Sequence, residues 1–288
     1  MELVRLHGNL MLQSQTGKAI FKMIQKRAQI IALDGSASHL KVQDIELATP
    51  KPPHLISHLW RLLGEVSKCV TVIQNLFADT KVTGSKIPEL VKGMETALVT
   101  QARLIGWQNV IPLVWKPRYI TEEGGDQGSL PRETNFPSRV LVFKEIQQAG
   151  LWISFWCSRV HLLETLITGL GYLPEQQRAR FPMTRDTLRK DLCVVIEDMC
   201  ASAGYMLGDI DETGSLKIDQ AGNGLGTFFL LRGMHVASKV PDLPQHIRVW
   251  VTDCLDRIGY SKGIRIALNY QKRTGPKRQG ERIEQHFN

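Results

Sequence analysis

Apolar residues in this chain recur every three or four positions over long stretches, a spacing that points to packed amphipathic helices. Leu55, Leu59, Leu62, Leu63, Val66, Cys69, Val70, Ile73 and Phe77 form one such stripe, with Pro52 and Pro53 just before it. Proline is tolerated at a helix entrance because the first amides have no partner there anyway. Ser85 and Pro88 open a second helix, carried by Leu90, Val91, Met94, Leu98 and Leu104. From Ser138 to about Gly169 the pattern is apolar on more than one side, which predicts a buried central helix that Gly150 can bend. Thr184 suits the cap of a helix through Leu188, Leu192, Val195, Ile196, Met199 and Ala203. A shorter helix is expected over Phe228 to Val236, ending near Pro241. Pro244 opens the last, through Ile247, Trp250, Val251, Cys254, Leu255 and Ile258.

Strand signals are poor. The apolar run Val110 to Trp115 is interrupted by Pro112, which cannot donate to a ladder. No strand, glycine turn and helix recur in series, which argues against a nucleotide-binding α/β sheet. Lys116 to Ser138 holds Glu122, Glu123, Gly124, Gly125, Asp126 and three prolines, and reads as a long mobile loop (about 116–138). The expected fold is all-α, a multi-helix bundle or layered α domain over residues 1–270, followed by a basic disordered tail over 271–288.

Composition matters where it limits function. Of 288 residues, 43% are hydrophobic, enough for a sizeable core. No apolar run reaches the ~18 residues of a membrane helix, and Met1 to Arg5 lack a signal peptide's pattern, so neither membrane insertion nor secretion is expected. Five scattered cysteines (Cys69, Cys157, Cys193, Cys200, Cys254) are no disulfide framework and fit a reducing compartment. The formal charge is +8, and the 28 residues from Ser261 carry seven basic against two acidic residues, net +5. Within them Lys272 and Arg273, then Lys277 and Arg278, form two basic pairs, the candidate nuclear-import signal. No aromatic residue lies among these pairs to stack on bases, so a specific RNA or single-strand site is not expected.

Asp209, Asp211, Thr213, Gly214 and Leu216 follow a calcium-loop spacing, but its twelfth position is Gln220, one weak oxygen in place of a bidentate carboxylate. An acidic surface turn between two helices is the expectation. Gly222, Gly224 and Gly226 resemble a phosphate-binding entry, yet no strand precedes them and no lysine follows; a flexible lead into a helix near Thr227 is expected. His54 and His58 share a helix face without a third ligand, and Cys193 and Cys200 read as packed thiols. Trp60, Trp152, Trp156 and Trp250 lie in apolar stripes and are expected in the core. No catalytic set, metal site or cofactor is therefore expected.

Several segments, taken in order, resemble the effector domain of fungal zinc-cluster transcription factors. Glu2 to Gly8 followed by Gln15 to Phe21 is similar to a helix–loop–helix of that family. Glu197 to Gly208, Glu-Asp-Met-Cys-Ala-Ser-Ala-Gly-Tyr-Met-Leu-Gly, resembles its Ile-Cys-Ala-Ser segment with a closing Leu-Gly. Leu230 to Ala237 occupies the place of an apolar helix, with Leu231-Arg232-Gly233 where Trp-Pro-Leu is common. Arg248 to Gly259 and Gly263 to Ala267 resemble the last helix pair. The likeness spans most of residues 2–270.

The family's DNA-binding module needs six clustered cysteines, and this chain has five dispersed ones. The likeness starts inside the effector domain, without its first helices. It implies a transcription-regulator-like protein without its own DNA-binding domain, located in the nucleus, with the cytoplasm as a second location. Such a protein acts through protein partners: a related full-length transcription factor or a second copy of itself. Sequence-specific DNA binding by the chain alone is not expected. Control of a fungal secondary-metabolite gene cluster is implied by the resemblance alone. The alternatives are a small-molecule-binding protein or enzyme on a reused helical scaffold, with Trp152, Phe155 and Trp156 lining a pocket, and a truncated inert relative.

Overall fold

The structure, a computed structural model, describes residues 54–78, 86–120, 136–137, 139–217 and 224–272. Among the described residues it is all-α apart from one two-stranded antiparallel sheet. The helices are α1 (His54–Ala78), α2 (Ile87–Val110), α3 (Ile146–Tyr172), α4 (Glu175–Arg178), α5 (Arg185–Ala201), α6 (Ala203–Leu207), α7 (Gly224–Lys239), α8 (Gln245–Tyr260) and α9 (Ile266–Lys272). The strands β1 (Arg118–Ile120) and β2 (Val140–Val142) pair antiparallel, with Tyr119 opposite Leu141.

The chain divides into two compact units. One holds α1, α2, α3 from Ser154, α4 and α5 as far as Val195. The other holds the two paired strands, α3 as far as Ile153, α5 from Ile196, and α6 to α9.

In the first unit the predicted 3–4 stripe becomes the buried face of α1: Leu59, Leu62, Leu63, Val66, Val70 and Ile73 are all shut from water. Four contacts fix its pairing with α2. The Trp107 Nε1–H donates to the Leu55 carbonyl at 2.9 Å, and Arg103 forks onto Glu65. Cys69 Sγ lies 3.7 Å from Thr100 Oγ1, and Ile73 packs over Gly93. As one partner rises in number the other falls, so the two helices run antiparallel. Helix α3 adds a third member: Phe155 lies 5.3 Å from Trp107, Gly169 faces Met94, and Tyr172 stacks on Phe77 at 4.6 Å. It therefore runs against α2 and alongside α1. At α5, Thr184 and Thr187 close a reciprocal cap, Thr187 N–H to Thr184 Oγ1 at 3.2 Å and Thr184 N–H to Thr187 Oγ1 at 2.9 Å. Threonine at position 187 takes the part that glutamate plays in the usual capping box.

In the second unit α7 is the central element. Gly226 backs onto the Met206 carbonyl of α6, Gly233 lies against Met199 and Ile153, and the Phe229 ring covers Gly150. Phe143, just after β2, meets Tyr205 of α6 at 5.5 Å. Gly259 of α8 receives Leu268 of α9, and Tyr270 of α9 stacks on His235 of α7, centroids 3.5 Å apart. Arg139 bonds Asp198 at 2.7 Å and lies 5.0 Å from the Tyr119 ring.

Three expectations need correction. The apolar pattern from Ser138 is not one helix: Val140–Val142 form a strand, and α3 begins at Ile146. Arg118–Ile120, expected within the loop, pair with that strand; residues 121–135 and 138 lie outside the described residues. The helix expected from Phe228 starts at Gly224, so Gly224 and Gly226 are helical and not a flexible lead. Gly150 sits within an unbroken α3, and its missing side chain is what lets the Phe229 ring lie there.

Candidate functional site

Two carboxylates of the calcium-like loop, Asp209 and Asp211, are engaged by other groups of the protein. Arg257 grips both oxygens of Asp209, one contact at 2.7 Å. Asp211 accepts the Thr213 hydroxyl at 2.6 Å, the Thr213 amide at 2.8 Å and the Ser215 amide at 3.0 Å. This is an Asx turn, closed by a bridge between Ile210 and Leu216 and by Gly214 at φ 92°. The structure bears out an acidic turn between two helices; residues 218–220 lie outside the described residues.

The Thr213 hydroxyl, then the Thr213, Ser215 and Gly214 amides, hold the Asp211 carboxyl below its ordinary value. A lowered folded value means that the loop's support is present above the ordinary aspartate range, ~3.9, and is lost as pH falls through the folded value. We expect amide protection at Thr213 and Ser215 to be retained at neutral pH and lost in strong acid, and Asp211→Ala to abolish it at neutral pH. Unchanged protection factors in acid, measured by nuclear magnetic resonance, would contradict this.

None of the five cysteines is joined in a disulfide. Burial pushes the Cys254 thiol up to about 12, and Cys200 well above the usual thiol range. Both are packed thiols and poor nucleophiles. Cys193 is half-buried. His58 lies on α1, which begins at His54; the His54 side chain is outside the described residues. Among the described residues no three His, Cys, Asp or Glu side chains gather as metal ligands, and no helix is long and apolar enough to cross a membrane.

Of the four tryptophans expected in the core, Trp152 and Trp156 are buried there. Trp60 and Trp250 are half-buried, and Trp250 meets the edge of Phe136 at 6.1 Å. Trp152 and Phe155, named above as possible pocket lining, are as buried as Trp156. Trp107, which the periodic reading passed over, is a principal core aromatic. Of the candidate import residues, Lys272 ends α9, while Arg273, Lys277 and Arg278 lie outside the described residues, as does the Lys272 side chain.

What the structure adds is the outward stripe of α7. Leu225, Phe228, Arg232, His235 and Lys239 follow one another at intervals of three, four, three and four, and every other position from Gly226 to Ser238 except Phe229 is buried. Phe228 is 64% exposed and Leu225 46%. The guanidinium of Arg232 has its Nε and Nη2 shut from solvent, with no hydrogen-bond acceptor for either among the described residues. The stripe is apolar at its start and cationic beyond, a combination that suits protein contact. The signal was present as the spacing 225–228–232–235–239, but it was masked by reading Gly224 and Gly226 as loop. Comparison with protein-family models, with curated proteins and with solved structures finds no match.

Proposed function

We propose that this chain is a transcription-regulator-like effector module that works by docking on another protein, a related full-length transcription factor or a second copy of itself, and altering its output. The observation that supports this reading most is the α7 stripe, where Leu225, Phe228 and Lys239 stand exposed, with Arg232 half-buried between them, on an otherwise packed helix. The second support is the ordered resemblance of Glu197–Gly208, Leu230–Ala237 and Arg248–Ala267 to effector-domain segments, all of which fall on helices α5 to α9 or the short turns between them. On this reading the chain works in the nucleus, carried by Lys272, Arg273, Lys277 and Arg278, and a secondary-metabolite gene cluster is the proposed setting.

Tethering tests the regulatory reading. The full chain fused to an unrelated DNA-binding module is expected to change a reporter's output relative to that module alone. Equal output from the two would overturn the reading. Localisation is tested separately, with the chain fused to an inert carrier too large for passive nuclear entry. Replacing all four basic residues by alanine is expected to abolish nuclear accumulation; equal accumulation would leave the tail a solubilising segment.

A further inference from the structure

We propose that the outward stripe of α7 binds an acidic amphipathic helix of another protein, which seats apolar side chains on Leu225 and Phe228 and a carboxylate on Arg232. The proposal rests on the protein-docking reading above and names the partner's chemistry.

Three observations carry it. The first is spacing. Intervals of three and four residues are those by which one helix presents a seam to another. The second is the apolar end. Two large side chains, Leu225 and Phe228, face water one turn apart, although the opposite face of α7 is fully packed. The third is Arg232. Its Nε and Nη2 are withdrawn from water without an acceptor among the described residues, a costly state that a carboxylate relieves by supplying the missing hydrogen bonds. The long stem of arginine lets its fork turn toward an approaching carboxylate. Lys239 is a second, exposed cation farther along, beyond His235, which the Tyr270 ring of α9 covers.

Charge decides where the partner comes from. Residues 1–53 and 273–288 of this chain are themselves basic, net +3 and +2, and repel the same stripe. The acidic stretch 121–135 offers one large apolar side chain, Leu130, among three glycines and Pro131, a composition that does not make an amphipathic helix. A second α7 would set Arg232 against Arg232. An acidic helix from elsewhere satisfies both ends of the stripe.

The test uses the full chain and a fluorescent helical peptide of about 20 residues, with leucines at three- and four-residue spacing flanked by glutamates. A second peptide carries lysine in place of every glutamate. Anisotropy titrations are expected to show the acidic peptide binding at least about tenfold more tightly than the basic one. Phe228→Ser and Arg232→Gln are each expected to weaken it about tenfold, as buried anchors do. Val72→Ser, at an exposed apolar position on α1, is expected to leave it unchanged. Circular dichroism of each variant must match wild type, and Arg232→Lys, which keeps the charge and loses the fork, covers the case where the glutamine variant misfolds. Equal binding of the two peptides, affinities within about twofold for both stripe variants, or displacement by duplex DNA through Arg232 would overturn the proposal. The tethered reporter separates the two readings. A Phe228→Ser chain that loses the peptide yet still changes output overturns this surface as the regulatory one and leaves the regulator standing. A wild-type chain that binds the peptide and leaves the reporter unmoved overturns the regulator and leaves the surface standing.

Discussion

Trp107→Ala is expected to cost ~3–5 kcal/mol of folding stability, a large share of what holds a domain of this size together. Trp107 is 1% exposed, packs on Phe155 and ties α2 to α1 through the Leu55 carbonyl. Alanine removes the ring from both helix contacts and leaves a cavity that three long helices cannot close. Trp107→Phe separates the two effects: most of the ring remains and the Nε1–H is lost, for roughly 1 kcal/mol. Urea unfolding of the three proteins with a common slope measures both differences. A Trp107→Ala midpoint within error of wild type would show that the α1–α2 register rests on other contacts.

Gly226→Ala carries the opposite sign from the usual rule. Alanine in place of a helical glycine ordinarily stabilises by ~1 kcal/mol, because glycine has more chain entropy to lose. At Gly226 a Cβ would lie 2.3 Å from the Met206 carbonyl oxygen and 2.8 Å from Ile146 Cδ1. The first neighbour is backbone and cannot rotate away, so α7 has to lift from α6. A loss of ~2–4 kcal/mol is expected, the range of overpacked core sites. Gly106, in α2, has nothing within 4 Å of such a Cβ, and Gly106→Ala is expected to gain the ordinary ~1 kcal/mol. Thermal unfolding of the pair checks the contrast, and a shift in the same direction for both would refute the close approach.

The long helices were legible because their stripes are clean. Leu55 to Phe77 and Ile247 to Ile258 each bury one face, and the 3–4 spacing located both. Pro88 and Pro244 marked helix starts for the reason that proline fits there, and Thr184 capped as its side chain allows. The strands were not legible. Val140–Leu141–Val142 is too short to show alternation, and its apolar side chains run into those of α3 a few residues on. Helix α6 was absorbed into α5, since the break at Ser202 involves a small residue that helices accept. The start of α7 was missed because glycine reads as loop, whereas Gly226 is there for a contact with a carbonyl 20 positions earlier. Trp107 escaped for a similar reason: its partner, Leu55, is 52 positions away. Spacing along the chain reports which face is buried, and not what it is buried against.

The turn from Asp209 to Lys217 carries its own scaffold. Asp211 and the Ile210–Leu216 bridge hold its shape from within, while the Arg257 grip on Asp209 ties it to α8 through a partly exposed pair. Such a pair contributes only ~0–1 kcal/mol and weakens with salt. The clasp is therefore the salt-sensitive part of the attachment, while Ile210, buried against Gly204, and the Arg118 bond to the Glu212 carbonyl keep the turn seated. Raising the ionic strength would loosen the grip of Arg257 and leave the amides bonded to Asp211 as protected as before.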